Sequence, residues 1–402
     1  MVARHVRPTN RSNRKLLLLI NAGSSSIKIS ICGFHRPARS VIKQSVTLTA
    51  MRQVGRRPAE TAGRIIHRSR HMADGFIPWL ASVMVESHIS PQQIAAVAHR
   101  IVLAGPRLSQ HQLLTAETRK RLAELIEFDP QHLPLELAIV AVCRSAFPRI
   151  PHTACFDSVF HQTMPLESKV LPISWDYYQR GVRRYGFHGL SYASLVRQIH
   201  SIDPRAAHGR IVMAHLGSGC SVAAIKHGHS VATTMAFTPL AGVVMGGRTG
   251  DIDPGLILYI MKREKLTPAK MERWLAENGG LTGIAGCGDM QTLLRRKDAR
   301  ARLAVDIFCR SIAHHIVACA SELAGIDAIV FSGGIGEHAP EIRRGIIGQL
   351  AFLGLAIDPV ANRANGPQIS PPGSRVRIWC LKTNEELEMA LITKRLLKGA
   401  VL

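Results

Sequence analysis

Leu16 to Ile31 reads LLLLINAGSSSIKISI. Five consecutive aliphatic residues, Leu16 to Ile20, are far fewer than the roughly 18–20 a membrane span needs, and they suit a strand buried on both faces. The small residues Asn21 to Ser26 then interrupt the run, and Ile27 to Ile31 resumes it, which predicts a hairpin at the head of an α/β domain. Ser24, Ser25 and Ser26 beside Gly23 are compatible with a plain turn. Asn21 and Lys28 shift the reading toward phosphate, because a turn requires neither an amide nor an ammonium at its flanks.

A second stretch has the same design. Ile211–Leu216 reads as a strand entering Gly217-Ser218-Gly219, and Ser221–Lys226 as the strand that leaves it before the His227-Gly228 turn. The echo points to a duplicated hairpin. Between such units fall Ala95–Val102, read as a strand ending before Ala104-Gly105-Pro106, and Thr153–Phe156, a short strand that delivers Asp157. Helical patterns cover Phe76–Val85, Thr118–Ile126 and Ala301–Leu323, the last with Gly325 as its expected C-cap. Ile326–Phe331 reads as a buried strand leading to Ser332-Gly333-Gly334-Ile335-Gly336, and a final helix starts near Glu385 with Thr383 or Asn384 as its cap.

The second chemistry-bearing loop is MGGRTGDIDP, Met245 to Pro254. Arg248 among glycines is a rigid five-donor fork on a backbone that can approach a ligand closely. Asp251 and Asp253 read either as Mg²⁺ ligands or as partners of arginines. Arg100 at a strand end is a second candidate fork, and His188, between Phe187 and Gly189, reads as either a packed or a functional histidine. His215 reads as structural from its place in a strand. Together these groups supply the donors and fixed cations that phosphoryl transfer requires.

The 402 residues suffice for two domains, and 46% hydrophobic residues with 33 glycines fit an α/β enzyme. No Gly-Lys dipeptide exists, so there is no Walker A loop. Gly334-Ile335-Gly336-Glu337-His338-Ala339 matches a GxGxxA pattern with Asp358 downstream, but without a clear βαβ unit it is a weak dehydrogenase signal. The eight cysteines form no CxxC pair, which fits free thiols in a reducing compartment and argues against zinc. The formal net charge is +23, and no acidic residue precedes Glu60. This fits a solvated basic surface with a polar tail over 1–14, a patch for nucleic acid, or an organelle-targeting start. Aromatics at 5% leave few base-stacking platforms, which disfavours nucleic acid without excluding it.

Taken in order, INAGSSSIK, FDSVFHQTMP, RRYGFHGLS, HLGSG, FTPLAGVVMGGRTGDIDPG, SGGIGEH and TNEE resemble the acetate kinase family from about residue 16 to the C-terminus. The resemblance implies two duplicated actin-like, ribonuclease H-like domains with an interdomain active-site cleft. The first would span 1–156, completed by 386–402, and the nucleotide-binding second 157–385. It implies ATP + acetate ⇌ ADP + acetyl phosphate, with Mg²⁺ or Mn²⁺, in a cytoplasmic homodimer without membrane attachment. A propionate or butyrate kinase of the same family is the alternative, and a degenerate nucleic-acid-binding relative a further one.

On matching positions, Asp157, Arg100, Arg248 and His188 would be catalytic, with Arg100, Phe187 and Pro239 at the acyl group. Asn21 and Glu385 would serve the metal. Nucleotide contacts would come from Lys28, His215, Gly217, Ser218, Gly219, Asp289, Met290, Gln291, Gly333, Gly334, Ile335, Gly336 and His338. The chain departs from the family pattern at several points. Ser218 and His338 stand where asparagines are usual, Gln291 where an arginine is, and Ser191-Tyr192 replaces a Thr-Ser-His segment. Arg100 is followed by IVLAGP, and the 128–132 segment also differs. These departures bear on nucleotide and acyl preference, not on the arginine forks.

Overall fold

The computed structural model describes residues 15–23, 26–37, 40–47 and 62–399. Ser24, Ser25 and the 1–14 segment lie outside them. The chain divides into two compact units, one formed by the residues up to Phe156 together with those from Glu386, the other by Asp157–Glu385.

The first unit carries a six-stranded sheet in the order β3-β2-β1-β4-β6-β5. Its strands are β1 (Leu16–Ala22), β2 (Ser26–Gly33), β3 (Ser40–Thr47), β4 (Ile94–Ile101), β5 (Gln112–Leu113) and β6 (His152–Phe156). β1 pairs antiparallel with β2 and parallel with β4. It thus occupies the middle of the sheet, which is why its aliphatic run is continuous and not alternating. Leu16, Leu18, Ile20 and Ala22 share one face and one apolar cluster with Phe76, Leu80 and Val83 of α1 (Ala62–Glu86). The helix α2 (Ala116–Ala123) starts on a Thr115 cap and ends earlier than the sequence pattern predicts. Leu135, Ile139 and Cys143 of α3 (Leu133–Ala146) complete that cluster.

The second unit repeats the plan. Its five strands, β7 (Arg210–Leu216), β8 (Cys220–Lys226), β9 (His229–Thr233), β10 (Ala328–Ser332) and β11 (Arg377–Cys380), are ordered β11-β10-β7-β8-β9. Reversed, this is β3-β2-β1-β4-β6 again: an antiparallel meander, then two parallel strands. Its helices include α4 (Gly189–Ile202), α5 (Pro254–Arg263), α6 (Ala299–Glu322), α7 (Gly333–His338) and α8 (Pro340–Gly348). α9 (Glu385–Gly399) starts at the end of this unit and returns the chain to the first, where Thr393 hydrogen-bonds Thr153 of β6 at 2.8 Å.

By length and composition α6 could cross a bilayer, but Phe308, Ile312, Ile316 and Cys319 are buried and the helix lies against β7 and β8. Its C-cap differs from expectation. Ala324, not Gly325, takes the left-handed conformation at φ 53°, and Gly325 N–H closes a Schellman turn on the Ala320 carbonyl at 2.9 Å. β10 likewise starts two residues later than predicted.

Three imidazoles are buried in neutral form. In the first unit His152 Nε2 donates to the Phe147 carbonyl at 3.1 Å, so its Nδ1 accepts from His99 Nε2 at 3.0 Å. In the second, His161 Nε2 donates to the Phe187 carbonyl at 2.9 Å and Nδ1 accepts from Ser230 at 2.8 Å. Burial lowers all three, His161 to about 4. Unfolded imidazoles take up protons near pH 6.5 while these do not, so their stabilisation is complete above that value and is lost as pH falls. His161 alone costs about 3 kcal/mol by about pH 4. The thermal unfolding midpoint should therefore drop between about pH 7.5 and about pH 5; a flat midpoint by calorimetry would contradict this account.

Candidate active site

In both sheets the chemistry-bearing residues sit at the C-terminal ends of the parallel strands, where α/β sheets hold ligands. In the first unit the parallel register pairs Ile20 with His99, which puts Asn21 beside Arg100. Arg100 Nη1 donates to Asn21 Oδ1 at 3.0 Å, and both side chains are half-buried. Just beyond Arg100 the Val102 N–H donates to both carboxylate oxygens of buried Glu136 at 3.2 Å, pinning the strand end. Lys28 lies across β1–β2 from Asn21 and is exposed. The amide oxygen of Asn21 thus already accepts from a guanidinium.

In the second unit three groups converge on the Gly217–Gly219 turn. A Cβ added to Gly219 would lie 3.3 Å from Arg248 Nη1 and 3.4 Å from His188 Nε2; one added to Gly217 would lie 3.6 Å from His215 Nε2. The His188 and His215 rings are 4.3 Å apart. Each is held from behind: His188 Nδ1 by Ser221 Oγ at 2.8 Å, His215 Nδ1 by Ser191 Oγ at 2.8 Å. His188 itself sits at φ 59° as the N-cap of α4. Gly189 follows it without room for a side chain, since a Cβ there would overlap the Asp157 carbonyl oxygen. Asp157 is 1% exposed.

The arginine loop is fixed through its backbone. Met245 N–H donates to the Arg248 carbonyl at 3.1 Å, and Gly279, Leu281 and Thr282 N–H groups donate to the Gly247, Met245 and Gly246 carbonyls. Arg248 Nη1 donates to the Pro239 carbonyl at 3.2 Å, so buried Pro239 anchors the fork. The loop carboxylates serve the fold. Asp251 accepts from Gly242 N–H at 2.7 Å and faces His315 at 3.3 Å, while Asp253 caps α5. Against the upward push of burial, the His315 and Gly242 hydrogen bonds hold Asp251 below the usual carboxylate range.

The glycine turn after β10 is α7. Gly333 N–H donates to Glu337 Oε1 at 3.2 Å, as does Thr383 N–H at 3.3 Å, so Glu337 ties this turn to the segment preceding Glu385. Arg343 of α8 is wholly buried and donates to the Gly336 carbonyl at 2.7 Å and to Asn362 and Asn365. Gly334 is exposed and Ile335 half-buried; Ser218, Gln291 and His338 are exposed. Asp289 caps the helix that follows it, and the Thr292 hydroxyl and amide lower its carboxyl. Met290, a sequence candidate for nucleotide contact, turns its side chain inward at 4% exposure, leaving only backbone to a ligand. Phe187 is likewise buried, and its carbonyl receives His161.

Glu136, His161, Ser221, Glu337 and Arg343 were not legible as functional positions. Each acts on a partner distant in sequence or through a backbone atom, and no local pattern signals that. Among the described residues no group of three or more His, Cys, Asp or Glu side chains clusters as a metal cage.

The acetokinase family model matches residues 16–391. An acetate kinase of Rhodopseudomonas palustris is 35% identical over 397 residues, covering 96% of this chain and 99% of that protein. A propionate kinase structure from Francisella tularensis superposes with TM-score 0.83 at 30% identity, covering 94% of this chain and 98% of that one. An acetate kinase structure from Porphyromonas gingivalis gives 0.80 at 27%, with 95% and 100% covered.

Gly219→Ala tests the convergence. The added methyl would stand in contact with both His188 and Arg248 and shift Arg248 by a few tenths of an ångström, so turnover should fall by up to about tenfold, below the roughly 100-fold that a full ångström of misplacement costs, while circular dichroism stays unchanged.

Proposed function

The chain belongs to the acetokinase family and phosphorylates acetate with ATP, and from that premise we propose how its residues divide the work. The observation that carries the proposal is the approach of Arg248 Nη1 and His188 Nε2 to one glycine. Acetate is already an anion, so no base is needed to create the nucleophile. The obstacle is bringing one anion to another, and fixed donors remove it. Arg248 and His188 donate to the transferring phosphoryl group, and Arg100, braced by Asn21, orients the carboxylate. Phe187 and Pro239 wall the acyl group. The turns at Gly217–Gly219 and Gly333–Gly336, with Lys28, Asp289 and Gln291, take the nucleotide.

The family implies a divalent metal. Asn21, Asp157 and Glu385 offer oxygen donors of the kind a hard cation takes, and a few protein oxygens supplemented by substrate phosphates suit Mg²⁺, with Mn²⁺ as substitute. When bound, such an ion neutralises charge on the transferring phosphates. We further propose that the protein is a cytoplasmic homodimer. No residue of α5 is buried, and Leu256, Leu258 and Tyr259 are 41%, 68% and 60% exposed. Exposed apolar side chains of this size on one helix fit a second copy of the chain. The charge of +23 is assigned to solvated surface, not to nucleic acid.

A second reading, propionate as preferred acid, is favoured by the likeness to a propionate kinase structure. Acyl phosphate trapped as hydroxamate decides. Acetate should turn over, with kcat/KM for acetate and propionate within about 10–200-fold, because a methylene is worth that much discrimination. Arg248→Ala should lower turnover on the order of 10³-fold. Leu258→Glu should convert a dimer to a monomer by sedimentation; an unchanged mass would remove α5 from the interface.

A further inference from the structure

His188 is useful to a phosphoryl group only if the nitrogen facing it carries a proton. The imidazole has two neutral tautomers, and which one forms is set by what its other nitrogen meets. Here that nitrogen, Nδ1, meets Ser221 Oγ at 2.8 Å, and Ser221 Oγ meets Tyr192 Oη at 2.6 Å. Ser221 comes from β8, in register opposite His215 of β7, and Tyr192 from the first turn of α4. Both are fully buried.

Apart from a pattern in which Tyr192 and Nδ1–H both donate to Ser221 Oγ and leave its own proton without an acceptor, two proton arrangements can be drawn for this chain. In one, Nδ1–H donates to Ser221, which donates to the phenol oxygen; the phenol proton then needs another acceptor. Among the described residues Tyr192 Oη has the Ser221 hydroxyl and a backbone hydrogen bond from His215, and that backbone group donates to it. A buried hydroxyl proton without an acceptor is costly. In the other arrangement Tyr192 donates to Ser221, Ser221 donates to Nδ1, and every group is satisfied. The proton of His188 is then on Nε2, the nitrogen that lies over Gly219 beside Arg248.

We infer that Tyr192 and Ser221 are positioning residues whose hydroxyls, relayed in that order, hold His188 as the Nε2–H tautomer and aim a hydrogen-bond donor at the transferring phosphoryl group. This rests on the kinase reading above for its function, though not for its geometry. The opposite tautomer would turn a lone pair toward an anion. Ser191 Oγ likewise meets His215 Nδ1 while Nε2 faces Gly217.

Long-range ¹H–¹⁵N spectra of the full chain, ligand-free and labelled at histidine, read the tautomer at mildly alkaline pH, where free imidazole is neutral. Loss of one signal set in His188→Gln assigns the ring. The wild type should show a protonated Nε2 and a bare Nδ1. Tyr192→Phe keeps the ring and removes the hydroxyl; it should shift that signature toward Nδ1–H. It should also lower kcat about tenfold, with KM for ATP and acetate within about twofold. Ser221→Ala should do the same. A wild-type Nδ1–H signature overturns the relay even in an active kinase, and so does an unchanged tautomer in both folded variants. The expected spectra support it even if the acid substrate proves to be another carboxylate.

Discussion

Gly219 has no side chain, and a guanidinium and an imidazole stand 3.3 and 3.4 Å from where its Cβ would be. That shared approach is the constraint on which the rest of the second unit depends. A guanidinium and an imidazole can act on one small anion only if both reach it from fixed positions, and a glycine adds no side chain to the space between them and that anion. Arg248 is therefore held by the Pro239 carbonyl and a loop whose carbonyls are bonded by Gly279, Leu281 and Thr282. His188 is held by Ser221 and by a left-handed N-cap that Gly189 allows to pack on Asp157. Donors fixed in advance need no reorganisation as charge develops, and that is where an enzyme joining two anions gains its rate.

Three charged side chains beneath these turns, Arg343, Glu337 and Glu136, hold backbone groups and fix the geometry of a loop. Arg343 places a wholly buried guanidinium against the Gly336 carbonyl and Asn362. Burial lowers its pKa, and its hydrogen bonds offset the cost of desolvation. Glu337 ties two backbone segments with one oxygen, and Glu136 fixes the strand end beyond Arg100 with two. Such groups give specificity of position more than net stability, because an apolar core would be as stable but would not hold a carbonyl in one place.

The most legible parts of the sequence were those where one residue type answers one physical need. A largely apolar run ahead of a small-residue stretch reads as an interior strand, and Leu16–Ala22 and Arg210–Leu216 are such strands. An arginine among glycines reads as a fork on a close-approaching loop, and Arg248 comes close to Gly219. Less legible were groups whose role depends on register. Asp251 and Asp253 looked available to a metal, and the structure commits them to Gly242, His315 and the α5 cap. Met290 sits among nucleotide candidates yet faces inward because its position on the helix repeat does.

By itself, the sequence determined the α/β class, the repeated hairpins, the family and the identity of the cationic groups, because periodicity and glycine placement are local and motif order is linear. Only the tertiary structure decided which nitrogen of His188 faces Gly219, that Pro239 anchors Arg248, and that Tyr192, Ser221, Glu337 and Arg343 support the site. Those facts arise from hydrogen bonds between atoms far apart in the chain. Their partners are fixed by strand register and helix packing, and no local pattern of residues records which distant donor will meet which acceptor.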